Sequence, residues 1–109
     1  MLKVLFHIDE MEKWTLLIGN IVNFIKDFDK DNYSITVVVN GESVSGLTES
    51  IIVNKLKSFP KNVTFEVCRN SLNHKHIEES ILPDFVKVVK SGVVEIALLE
   101  EEGYHYIKP

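Results

Sequence analysis

Cys68 is the only cysteine in the chain, and its neighbour Arg69 is the only arginine. A lone thiol cannot close an internal disulfide or, by itself, make a cysteine zinc site, so it is either a packed apolar side chain or a working nucleophile. Cys68 stands where a β-patterned run hands over to a segment that Asn70 or Ser71 can cap as a helix. A sulfur placed there faces unsatisfied backbone N–H groups, which favour the thiolate over the thiol. A helix N-terminus or a neighbouring cation brings a cysteine pKa from about 8.5 into a range of about 3.5 to 7.5. Successive strand side chains point to opposite faces, so Arg69 can also turn away from the sulfur. On chain position alone, a buried structural cysteine is the leading reading.

Other residues compete for a role. His7, at the end of the first apolar run, can share a cleft with Cys68 as base or hydrogen-bond donor; the plainer reading is a satisfied polar residue at a strand end. An acid–base enzyme built on His7 with Asp9 or Glu10 lacks a partner set that can be placed, and ranks last. His74 and His76 fall on different sides of a helix with no third ligand in convincing spacing, so no metal is assigned. Asn40-Gly41 lacks the several glycines that wrap a phosphate, so no nucleotide or other cofactor is expected. Asn20 and Asn23 intrude near an apolar helical stripe, to meet a subunit, a cleft or plain solvent.

The elements that must position these residues follow from periodicity. Lys3 to Ile8 is a short apolar run without clear alternation, as in a strand covered on both faces. Asp9 and Glu12 have capping-box spacing, and Trp14, Leu17, Ile18, Ile21, Val22, Ile25 and Phe28 recur at helical intervals. Tyr33 to Val39 is a β-branched second strand that ends at Asn40-Gly41, a dipeptide suited to positive φ. Leu47 to Phe59 predicts a second helix stopped by Pro60, and Val63 to Val67 alternates as a third strand running into Cys68. Arg69 to Glu79 suits a short helix and Phe85 to Val89 a fourth strand. Ser91 then caps a helix that closes at Gly103, with Tyr104 to Ile107 as a terminal strand. A hairpin over Val93 to Ile107 is the competing reading, disfavoured by the glutamates Glu100 to Glu102, which suit a helix better than a tight turn.

Strands alternating with helices imply right-handed crossovers and a mainly parallel sheet of about five strands. The predicted class is therefore α/β, a three-layer α/β/α sandwich in one domain spanning residues 1–109. Ligands in such sheets gather at the carboxyl ends of the strands, which selects His7, Asn40, Gly41, Cys68, Arg69 and Asn70 as candidates. Twelve basic against 16 acidic residues, a formal charge of -4, give no electrostatic footprint for nucleic acid or anionic lipid. No run reaches the ~18 apolar residues of a membrane span, and the opening residues do not read as a signal peptide, so a cytoplasmic location is expected.

Five segments in order carry a resemblance over nearly the whole chain: Phe6-His7-Ile8-Asp9-Glu10 with Trp14; Asn20-Ile21-Val22-Asn23; Val37-Val38-Val39-Asn40-Gly41; Val67-Cys68-Arg69-Asn70-Ser71-Leu72; and Ser91-Gly92-Val93-Val94-Glu95 through Gly103-Tyr104-His105-Tyr106-Ile107-Lys108-Pro109. Together they resemble the DsrE/DsrF-like family, which includes sulfur-relay proteins of the TusD kind. The resemblance implies an α/β/α domain that assembles into homo- or hetero-oligomers, often trimers or hexamers. It also implies a persulfide-carrying cysteine after the third strand, a position that Cys68 matches. The relay proteins follow that cysteine with an alanine-rich helix start; Arg69-Asn70-Ser71-Leu72 is closer to the small stand-alone members.

On that footing Cys68 is expected to carry sulfur or respond to redox change, working with donor and acceptor proteins. Asn70, Ser71 and nearby N–H groups would steady the anionic sulfur, and Arg69 would orient a charged donor or touch a partner. With no second cysteine, an internal dithiol cycle is excluded. The alternative is a binding or assembly module of the same fold in which Cys68 is merely packed.

Overall fold

Strand β1 (Leu2–Ile8) shows no clean alternation because both of its faces are covered. Val4, Phe6 and Ile8 join the larger apolar cluster on one side, while Leu5 enters a small cluster on the other. The computed structural model describes all residues 1–109. It places β1 beside β2 (Tyr33–Val39), followed outward by β3 (Val63–Cys68) and β4 (Val86–Val89), with β5 (His105–Ile107) on the far side of β1. Every neighbouring pair is parallel.

The helices α1 (Trp14–Asp27), α2 (Ser50–Lys57) and α3 (Arg69–His74) connect strands that step in one direction. Right-handed crossovers therefore put all three on one face. There Trp14, Leu17, Ile21, Leu56 and Leu72 pack on Ile35, Val37, Val39, Phe65 and Val67. The connection from β4 to β5 runs the opposite way across the sheet, so α4 (Gly92–Glu101) lies alone on the other face, where Leu99 meets Leu5 and Val38. The result is the three-layer α/β/α sandwich expected from the sequence. No helix is long and apolar enough to cross a membrane.

Several element ends differ from the sequence expectation. No side chain caps the start of α1, which follows a 3-10 turn at Met11–Lys13; Asp9, predicted as the cap, pairs instead with Lys108 at 3.2 Å. The stretch Gly41–Thr48, with Leu47 buried in it, is a 3-10 segment, so α2 begins only at Ser50. Helix α3 ends at His74 rather than near Glu79, and His76 adopts φ 58°. Gly41 takes the positive φ expected of it, Ser91 Oγ accepts from Val94 N–H at 3.4 Å, and β5 pairs parallel to β1 rather than forming a hairpin.

Candidate functional site

Pleating decides which face each site residue presents. His7 alternates with Phe6 and Ile8, and Cys68 with Val67, so both emerge on the face that α4 covers. Val39 pairs with Val67 in register, which sets Asn40 beside Cys68 at the carboxyl edge of the sheet. Helix α4 starts directly over them. An added Cβ at Gly92 would lie 3.3 Å from the Cβ atoms of both Asn40 and Cys68. A glycine lets the helix start approach two strand side chains this closely without displacing either.

The sulfur sits at the meeting of two helix starts. Burial by itself raises the Cys68 thiol; the Ser71 hydroxyl and the backbone N–H groups of Gly92, Ser71 and Asn70 outweigh it and hold the pKa below the ordinary thiol range. Ser71 Oγ also accepts from Gly41 N–H at 2.9 Å, which leaves its own hydrogen for the sulfur. Cys68 is only 6% exposed, and none of the surface hollows is lined by it.

A polar row continues from Asn40 toward β5. His7 Nε2 lies 2.8 Å from Asn40 Oδ1, and His7 Nδ1 lies 2.6 Å from the Tyr106 hydroxyl. The amide oxygen only accepts, so Nε2 donates to Asn40, while Nδ1 and the Tyr106 hydroxyl share the second hydrogen bond. Burial, with Asp9 and Glu100, keeps that hydroxyl above its ordinary range against the pull of Lys108, so it remains a donor.

Of the residues selected from sequence, His7, Asn40, Gly41, Cys68 and Ser71 gather at this edge, and Asn70 takes part through its main chain. Arg69 does not support the thiolate. Its Nε donates to Glu79 Oε2 at 2.7 Å, because the side chain following Cys68 turns away from the sulfur. Asn20 and Asn23 line an open hollow with Phe6, Phe24 and Ile107, on the face opposite Cys68. No group of three or more His, Cys, Asp or Glu side chains is placed to hold a metal ion. Sequence reasoning missed Gly92, Tyr106 and the buried Glu66. The capping signal at Ser91 had put Gly92 at a helix start, but only the crossing of α4 to the second face carries it to Cys68.

Fold and site together define a class: a parallel three-layer α/β/α domain that presents one amide-cradled thiol at the carboxyl edge of its sheet. No family model matches the chain, and no curated protein matches it. The chain is similar to the solved structure of MTH1491, a protein of unknown function from Methanobacterium thermoautotrophicum, at 31% identity and TM-score 0.85 over 100% of both chains. It belongs to the same family as MTH1491. It is also similar to the crystal structure of the YchN protein from E. coli, at 13% identity and TM-score 0.72 over 100% of both chains, a likeness of fold.

Proposed function

We propose that the chain is a DsrE/DsrF-like protein and that Cys68 carries sulfur as a persulfide. The observation that supports this reading is the cradle around the sulfur: three backbone N–H groups and the Ser71 hydroxyl, aimed at an atom with no disulfide partner. Such a cradle favours the thiolate, and the thiolate is the nucleophile. The thiolate attacks the outer sulfur of a persulfidic donor, R–S–SH. The donor S–S bond breaks, R–S⁻ leaves with the electron pair and takes a proton, and Cys68 holds the outer sulfur as S–SH. An acceptor nucleophile then attacks that sulfur and returns the thiolate. No second cysteine is required.

A lone working thiol suits the reducing cytoplasm, which is the location proposed with it. Donor and acceptor proteins would exchange sulfur with Cys68, and a second copy of the chain is proposed as a partner. The apolar side chains that α4 and β5 leave at the surface, Val93, Val94, Leu98, Tyr106 and Ile107, support that assembly. The 6% exposure of Cys68 favours a second reading, a module in which the cysteine is packed and inert.

One experiment separates the two. The protein is treated with a sulfane-sulfur donor and its intact mass recorded. A reductant-sensitive gain of one sulfur, absent in Cys68→Ser, is the expected result; an unchanged mass leaves the module.

A further inference from the structure

His7 Nε2 donates to Asn40 Oδ1 at 2.8 Å, and Nδ1 shares a hydrogen with the Tyr106 hydroxyl at 2.6 Å. Nδ1 can make its bond to Tyr106 whether the ring is neutral or charged, so Nε2 keeps its hydrogen on Asn40 either way. Held by its oxygen, the Asn40 amide turns its nitrogen toward the start of α4. Nδ2 lies 3.5 Å from the point that a Cβ on Gly92 would take, and the Cys68 Cβ lies 3.3 Å from the same point. The hydrogen bonds of Asn40 use its side-chain oxygen, its main-chain N–H and its carbonyl, which leaves both Nδ2 hydrogens free. Asn40 stands beside Cys68 because Val39 and Val67 are in register.

Loading Cys68 changes where negative charge sits. When the S–SH group gives its proton to water, the charge lies on the outer sulfur, about 2 Å beyond the atom that the cradle faces. An anion is favoured there only by a donor placed farther out, and a neutral amide N–H is such a donor. Ser71 cannot serve, since its hydrogen goes to the inner sulfur and its oxygen accepts from Gly41 N–H. The free Nδ2 hydrogens of Asn40 border the same spot as Cys68 and have no other use.

We propose that Asn40 Nδ2 donates to the outer sulfur of loaded Cys68, and that His7, braced by Tyr106, is the positioning residue that keeps the amide turned this way. The role rests on the sulfur-carrying reading of Cys68 given above. Only the S–H bond breaks in the step that Asn40 assists; its proton leaves to water and its electron pair stays on the outer sulfur. Without His7 the amide is free to rotate and present its oxygen, an acceptor that repels the anion. Tyr106 comes from β5 and His7 from β1, so the row spans three neighbouring strand ends.

The full-length protein is partly loaded with sodium tetrasulfide, whose end sulfur the thiolate takes as trisulfide leaves, and is then alkylated with iodoacetamide over a range of pH. Intact mass separates adducts on S–S⁻ from adducts on S⁻ by one sulfur, so both forms are titrated together. In Asn40→Ala the half-point of the loaded form should rise by about one pH unit, roughly a tenfold fall in S–S⁻ at a pH below it, and that of the free thiol by much less. His7→Phe should reproduce the shift of the loaded form. His7→Gln, whose amide N–H can reach Asn40 Oδ1 in place of Nε2, should restore it, and Tyr106→Phe should fall between wild type and His7→Phe. Equal shifts of both forms in Asn40→Ala, or none in either, would overturn the donor role; a His7→Gln as defective as His7→Phe would overturn the positioning role. Where a strand-end variant fails to fold, Tyr106→Phe, at a position 40% exposed, decides: an unmoved loaded form overturns the row. A wild type that takes up no sulfur removes the reading of Cys68, whereas uptake with an unmoved loaded form in the variants removes Asn40 alone.

Discussion

Gly92 and Cys68 belong to elements that never pair, yet the first residue of α4 is seated so closely on the end of β3 that a methyl group between them would lie 3.3 Å from the cysteine Cβ. That spacing brings the Gly92 N–H to the sulfur. Gly92→Ala should lift the helix start by a few tenths of an ångström and weaken this donor. The thiol pKa should rise, and alkylation at neutral pH should slow, by about threefold if the pKa climbs by about 0.5. Iodoacetamide rates against pH measure both, and a profile unchanged from wild type would remove Gly92 from the cradle.

Ser71 and Arg69 flank the same short helix start and should behave oppositely. Ser71→Ala removes a donor to the sulfur and the acceptor of Gly41 N–H, so the thiol pKa should rise and stability should drop by about 1 kcal/mol. Arg69→Ala breaks an exposed pair with Glu79 and should leave the alkylation profile where it is. A thiol pKa that climbs in the arginine variant would show that its charge reaches the sulfur.

Stability should depend on Glu66 with a definite sign. Its folded-state pKa, about 8, is above the ordinary 4.5, so the native state keeps a proton that the unfolded chain releases. Stability therefore declines as pH rises from about 4.5 to about 8 and levels off beyond, where both states are ionised. Glu66→Gln should flatten that decline and raise the melting temperature at the alkaline end, by about 4–8 °C for each kcal/mol recovered. Thermal melts of the two proteins across this window check the prediction.

The opposite face holds a packing constraint. A Cβ on Gly46 would lie 2.2 Å from Trp14 Nε1, whose N–H donates to the Ser43 carbonyl at 3.0 Å. Gly46→Ala must push the buried indole aside and should destabilise by about 1–3 kcal/mol. Trp14 is the chain's only tryptophan, so its fluorescence should shift along with the melting midpoint.

The fold was legible because the strands and helices carry different periods, and because parallel β-α order leaves one handed way to close the sheet. Within the site, Cys68, Asn40, Gly41 and His7 were legible from their position at strand ends, a local property. What stayed hidden depended on distance in sequence. Glu66 reads as the solvent side of an alternating strand until α4 crosses to the second face and buries it. Tyr106 meets His7 only because β5 docks beside β1. Arg69 adjoins Cys68 in sequence yet turns to Glu79, the outward orientation that strand alternation allowed, since adjacency along a chain does not mean adjacency of side chains.

His7 and Tyr106 are 99 positions apart, contributed by the first and last strands. The donors of the sulfur's cradle all lie within residues 41–92, whereas the imidazole–phenol junction needs β5 docked beside β1. Formation of that junction is thus a molecular signature of finished folding, and release of β5 would erase it while leaving the other four strands in register.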